Sequence, residues 1–289
     1  MKNIAFIGIG VMGKSMAGHL LNAGYGLHVY TRTKQKAQQL LDMGAVWHDS
    51  IQSCVEAADA VCTMVGFVPD VEQVYFEKNA ILDSARAGAV LIDFTTTSPA
   101  LSKRIYKAAK GRGLFALDAP VSGGDVGAKN ATLSIMVGGD RDVFELALPL
   151  FDCLGTAHYT GNAGSGQHTK MANQIAICGA ISGVCEAIAY AKAQGLDVSN
   201  MLSCIEGGAA GSWQLKNMAP RMLRGDFAPG FFVKHQLKDL KIAIEEAENR
   251  GLSLPVLNEA ARRYSELVDN GEGDNGTQAL IHTYCKEEL

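Results

Sequence analysis

The chain changes its rhythm once. Up to the segment "HYTGNAG", short apolar runs alternate with helical patterns; from Gly164 onward only helical periodicity is legible. In the first part "NIAFIGI", "GLHVYTR", "ADAVCTMV", "GAVLIDFT", "LFALDAPV" and "LSIMVGG" read as strands. Between them lie helical patterns: "GKSMAGHLLNAG" closed by Gly24, "KQKAQQLLDMG" closed by Gly44, and one around Ala80 to Arg86. A fourth, "SPALSKRIYKAAKGRG", has Ser98 as N-cap and Pro99 at its first position. Strands alternating with helices give an α/β fold with a mostly parallel, doubly wound sheet. The expected architecture is this α/β domain over residues 1–162, then an all-helical domain over 163–289 that opens with a long helix. That helix, "GSGQHTKMANQIAICGAISGVCEAIAYAKA", is so apolar that it should be buried on most sides. The polar run "DNGEGDNG" is the candidate for disorder.

The 289 residues suffice for two domains, and 47% hydrophobic with 19% charged residues suits a soluble globular protein. The net charge of −4 argues against a nucleic-acid binder. No apolar run approaches a membrane span, and "MKNIAFIGIG" makes no signal peptide, so the cytoplasm is the expected location. The seven cysteines form no Cys-x-x-Cys pair and read as buried thiols in a reducing compartment, with no metal centre expected.

"FIGIGVMG" sets Gly8, Gly10 and Gly13 at the spacing G-x-G-x-x-G, directly after the first strand and at the start of the first helix. In that context Gly8 makes the tight turn, Gly10 admits a pyrophosphate to the backbone, and Gly13 lets helix and strand pack closely. The intervening Ile9, Val11 and Met12 complete a candidate coenzyme loop. The second strand ends "VYTRT", without the acid that would bind the ribose 2′-hydroxyl of NAD. Arg32 can pair with a 2′-phosphate and Thr33 can hydrogen-bond it, which favours NADP over NAD; alternatively Arg32 stacks on adenine or lies in solvent.

Three further segments carry candidate chemistry. In "LDAPVSGG", Ser122, Gly123 and Gly124 offer a hydroxyl and bare N–H groups that suit a carboxylate, although alone they also read as an ordinary glycine-rich loop. "DFTTTSP" ends a strand at Thr95, and "FFVKHQLKDLKIA" puts Lys238 on a helix, where the alternative is a solvated lysine, the stronger reading for Lys234 and Lys241.

Together "FIGIGVMG", "DFTTTSP", "DAPVSGGDVGAKNATLSIMVGG", "GSGQHTKMAN", "GSWQLKNMAPRML" and "KDLKIA" resemble the β-hydroxyacid dehydrogenase family in order and spacing over nearly the whole chain. That family includes 3-hydroxyisobutyrate dehydrogenases, tartronate semialdehyde reductases and glyoxylate/succinic semialdehyde reductases. The resemblance implies a Rossmann-like first domain, a helical second domain of the 6-phosphogluconate dehydrogenase type, the long interdomain helix from Gly164 joining them, and an active site in the cleft between the domains. It implies hydride transfer between a small 3-hydroxy acid and a nicotinamide, with Lys170 as general acid/base. It further implies that Ser122, Gly123, Gly124 and Asn173 bind substrate and that Phe231 walls the pocket. Lys238 would lie near both nicotinamide and substrate, and Thr95 with Met64, Val65 and Gly66 would contact coenzyme. A homodimer or homotetramer is implied too. The family often has a proline soon after the third strand, where this chain has Gly66 first and Pro69 later. Imine reductases share the fold but generally lack the lysine, and non-catalytic dinucleotide-binding relatives have lost it. Lys170 and Asn173 therefore favour C–O chemistry.

Overall fold

The computed structural model describes residues 1–285. The first half runs β1 (Asn3–Ile7), α1 (Val11–Asn22), β2 (Gly26–Tyr30), α2 (Gln38–Asp42), β3 (Val46–Trp47), α3 (Ile51–Val55), β4 (Ala60–Thr63), α4 (Val68–Phe76), α5 (Ile81–Ser84) and β5 (Val90–Asp93). It continues with α6 (Pro99–Lys110), β6 (Phe115–Asp118), β7 (Val121–Ser122), α7 (Gly124–Lys129), β8 (Leu133–Gly138), α8 (Arg141–Phe151) and β9 (Gly155–Gly161). The nine strands form one sheet in the order β3-β2-β1-β4-β5-β6-β8-β7, with β9 on β8. The first six strands pair in parallel, β8 runs antiparallel to β6 and β7, and β9 is parallel to β8.

This is the doubly wound order 3-2-1-4-5-6, whose switch point lies between β1 and β4. Helices cover both faces, so β4 and β5 are buried at every position and read as continuous apolar runs. Along β1 the side chains alternate between two cores. Ile4 and Phe6 join Met16, Leu20 and Val29 on one face; Ala5 and Ile7 join Val61, Tyr75 and Leu91 on the other.

The sequence reading missed several short elements. Helix α4 is not among the expected helices; Pro69 occupies its first turn, where its absent N–H costs nothing. The expected strand "LFALDAPV" is two strands, broken at Pro120, whose carbonyl accepts the Met136 N–H. Ser98 caps α6 as expected, accepting the Leu101 N–H at 3.1 Å.

The second half is α9 (Ser165–Ala193), α10 (Val198–Glu206), α11 (Trp213–Asn217), α12 (Ala219–Leu223), α13 (Val233–Glu248), α14 (Pro255–Asp269) and a 3₁₀ turn over Thr277–Thr283. Among the described residues it holds no strand, only a lone antiparallel bridge between Phe232 and Gly276. The chain divides into two compact units inside α9, the first ending at Lys170 and the second beginning at Met171. The first turns of α9 belong to the first unit because Asp118 and Gln167 tie them to the sheet strands, as described below.

Four expectations need correction. Helix α9, at 29 residues and a mean hydropathy of 1.5 over its best window, does reach the length and composition of a membrane span. It is buried along one stripe, through Cys178, Ile181, Cys185 and Ile188, and not on most sides: Ala172, Ala176 and Tyr190 are exposed. The run "DNGEGDNG" is a defined loop. Gly271 takes a positive φ of 84°, Asn275 and Gly273 accept the N–H groups of Val233 and Lys234, and Glu272 meets His282 at 2.6 Å. Of the cysteines, Cys54, Cys62, Cys178 and Cys185 are buried, but Cys153 and Cys285 are half-buried and Cys204 is exposed.

Candidate active site

The glycine loop follows β1. Gly8 sits at φ +98°, a conformation that only glycine adopts without strain, and its N–H donates to Tyr30 O at 2.9 Å. A side chain at Gly13 would collide with Gly8 O, whereas one at Gly10 would meet nothing within 4 Å. Gly10 is the N-cap of α1, without a side-chain cap and without an acid in the first turn. The free N–H groups and positive end of α1 are thus open to an anion. The residues present fit a dinucleotide pyrophosphate here. Val11 is exposed, Met12 is half-buried, and Ile9 is buried in the core, which leaves Ile9 only its backbone for a ligand.

The ends of β4 and β5 are held by a buried polar network. Asp93 accepts the Thr63 hydroxyl at 2.7 Å and the Thr95 N–H at 3.0 Å, and the Tyr75 hydroxyl lies 3.1 Å from that of Thr63. Burial, with the Asp93 charge second, raises the Tyr75 phenol well above its usual range, so it stays protonated. Thr95 Oγ1 then accepts the Val65 N–H at 3.0 Å, which sets the backbone of the Met64–Gly66 loop without the family's proline. Arg32 and Thr33 are exposed at the end of β2. The sequence shows no carboxylate near Arg32, but the fold supplies one: Asp70 of α4 lies 3.2 Å from its guanidinium.

Lys170 is buried in the second turn of α9, and its Nζ donates to Val121 O at 2.9 Å. Val121 directly precedes Ser122, Gly123 and Gly124, so the fold brings the lysine to the loop singled out for a carboxylate. Both glycines need their freedom, with φ of +132° and +63°.

The residue that seats this helix went unrecognised in the sequence. Asp118, at the end of β6, accepts the N–H groups of Gly164 at 2.7 Å and Gln167 at 2.9 Å. Gln167 in turn donates to Thr95 O at 2.8 Å and accepts from Thr97 N at 3.0 Å. Gly166 admits this approach: a Cβ there would stand 2.5 Å from Asp118 O. Burial pushes the Asp118 carboxyl up to about 6, against the lowering effect of its N–H donors.

In the second unit Asn173 donates to Gln174 Oε1 at 2.8 Å, and Gln174 Nε2 donates to Asp239 Oδ2 at 2.7 Å and Gln236 Oε1 at 3.1 Å. Lys238 Nζ lies 3.1 Å from Asp239 Oδ1, whose carboxylate is fully buried. One chain of polar contacts therefore joins Asn173 to Lys238, through residues the sequence reading did not single out. Phe231 is half-buried, its ring 6.2 Å from that of His235.

Comparisons with known proteins agree with this layout. Residues 3–164 match the family described as the NAD binding domain of 6-phosphogluconate dehydrogenase, and residues 164–284 that described as NAD-binding of NADP-dependent 3-hydroxyisobutyrate dehydrogenase. The uncharacterized oxidoreductase YkwC of Bacillus subtilis is 54% identical over 99% of each chain. A probable mitochondrial 3-hydroxyisobutyrate dehydrogenase-like protein of Arabidopsis thaliana is 47% identical over 96% of this chain and 84% of its own. The solved structure of Mycobacterium tuberculosis 3-hydroxyisobutyrate dehydrogenase with L-serine superposes with a TM-score of 0.90 at 30% identity, covering 98% of this chain and 99% of that one. The site is that of a nicotinamide-dinucleotide-dependent oxidoreductase. The chain belongs to the β-hydroxyacid dehydrogenase family.

Proposed function

We propose that the protein interconverts a small 3-hydroxy acid and its aldehyde or keto acid, with NADP preferred over NAD. The observation that carries this reading is the Lys170 ammonium held at Val121, beside the Ser122-Gly123-Gly124 loop. The bound nicotinamide supplies or accepts the hydride. The protein's own residues handle the rest. The loop's N–H groups and the Ser122 hydroxyl receive the substrate carboxylate. Lys170 gives a proton to the carbonyl oxygen during reduction and takes the alcohol proton in reverse, and its positive charge stabilises the developing alkoxide. Asn173, three residues further along the same helix, contacts the substrate as well. The L-serine in the mycobacterial structure is itself a 3-hydroxy acid with a carboxylate, which supports the substrate class. The test is a panel of hydroxy acids and aldehyde acids assayed with both coenzymes.

Two expected results follow from the same residues. Replacing the substrate's acid by an amide or alcohol should cut kcat/KM by roughly 10–10²-fold, because a charge-assisted bond contributes about 1.5–3 kcal/mol. A neutral aldehyde of equal length turned over as well as its acid would remove the loop from carboxylate binding. Arg32→Ala should lower kcat/KM for NADPH by a similar factor and spare NADH; equal losses with both coenzymes would count against NADP recognition by Arg32.

A further inference from the structure

The ion pair between Arg32 and Asp70 bears on coenzyme choice, and this inference rests on the NADP reading above. A site built for NAD places an acid at the end of β2, and a site built for NADP places a cation there. This fold holds both charges at one place, the cation from β2 and the acid from α4. Their settings differ. Asp70 is anchored in the first turn of its helix, where Oδ2 accepts the Phe67 N–H at 3.0 Å, and its side chain is only 19% exposed. The Arg32 side chain is 78% exposed, tied at 3.2 Å to Asp70 Oδ1. A 2′-phosphate approaching Arg32 therefore shares the guanidinium with a fixed carboxylate or draws it away, and in either case lies near that like charge. NAD, with a neutral 2′-hydroxyl, meets neither obstacle.

We propose that Asp70 is a specificity-determining residue that competes with the 2′-phosphate for Arg32, so that the margin for NADP over NAD is kept small. The scale follows from exposure. A solvent-screened pair shifts an equilibrium by about two- to fivefold, and the repulsion of a nearby phosphate dianion adds a comparable factor.

The test is calorimetric binding of NADP⁺ and NAD⁺ to the coenzyme-free protein, without turnover. Asp70→Asn keeps an acceptor for the Phe67 N–H. It should tighten NADP⁺ by roughly three- to tenfold and leave NAD⁺ within about twofold. The gain should shrink to about twofold or less in an Arg32→Ala background, and should fade in 1 M salt. Asp70→Ser, which also retains a cap acceptor, repeats the measurement if the first variant loses thermal stability. Unchanged NADP⁺ affinity, or weakened NAD⁺ affinity, in Asp70→Asn would overturn the proposal. Arg32→Ala separates the two levels. If that variant binds NADP⁺ as tightly as the original chain, the NADP reading itself fails. If it loses NADP⁺ while Asp70→Asn gains nothing, only the role of Asp70 fails.

Discussion

Lys170→Ala is expected to lower kcat by roughly 10²–10⁴-fold, the scale on which a general acid acts. Coenzyme affinity should survive, because the glycine loop at Gly8–Gly13 is untouched. A buried lysine could instead be retained for the structure, and the substitution does remove a donor from the buried Val121 carbonyl, at a cost of about 1–3 kcal/mol. Two further measurements separate the roles. Lys170→Arg keeps a positive charge and donors toward Val121 but cannot give up a proton at working pH. It should therefore retain most of the stability and little of the turnover. A small alkylamine added to Lys170→Ala should restore part of kcat if proton transfer is what was lost. Near-normal kcat in the alanine variant would sink the mechanism. Lost coenzyme affinity with little change in chemistry would move Lys170 to a coenzyme role.

What the sequence discloses here depends on how far apart the cooperating residues lie. The glycine loop is local: its three glycines, the strand before it and the helix after it fall within one short segment, so spacing alone predicts the turn at Gly8. Lys170 and Asn173 share a helix and are equally readable. The groups that hold them are not. Asp118 reaches Gly164 across 46 positions and Gln167 across 49, and nothing in "LDAPV" marks that aspartate as an acceptor for a helix start. Asp70 meets Arg32 only because β4 lies beside β1, which carries α4 toward the end of β2. Gln174 and Asp239 meet across 65 positions in the second unit, and from sequence each is simply a polar residue on a helix. The cost of an unpaired buried polar group dictates that partners exist, but only the topology says which. The membrane-span misjudgement of α9 has a different origin. Small residues such as Gly179, Ala180 and Gly183 break its apolar run to the eye while leaving its summed hydropathy high.

Asp118→Ala carries the other large expectation, this time for stability. At neutral pH the carboxylate is ionised against its surroundings. Its rise from 3.8 to about 6 means that ionisation opposes folding by about 3 kcal/mol. Yet its removal leaves two buried N–H groups, those of Gly164 and Gln167, without an acceptor, at about 1–3 kcal/mol each. It also opens a space beside Gly138 and Gly166, whose missing side chains the carboxylate fills. Relief of the ionisation cost offsets part of this at pH 7 and little of it at pH 4, where the acid is neutral in the folded state and still substantially protonated in the unfolded one. The variant should therefore lose more stability at low pH than at high pH. The sign follows from the raised folded value: the group's contribution is full below about 4 and fades as pH rises through about 6. Urea unfolding of both proteins at pH 4 and pH 7.5 reads the difference directly and cancels the exposed carboxylates, such as Glu259, that titrate in the opposite sense. An equal loss at the two pH values would mean that Asp118 titrates normally. The same change should cost roughly 10–10²-fold in kcat, because Gln167 lies one turn before Lys170, and a displacement of about 1 Å in a proton donor is felt on that scale. A variant that lost stability but kept kcat would show that Lys170 is placed by its own bond to Val121 and not by the clasp that Asp118 makes on the helix start.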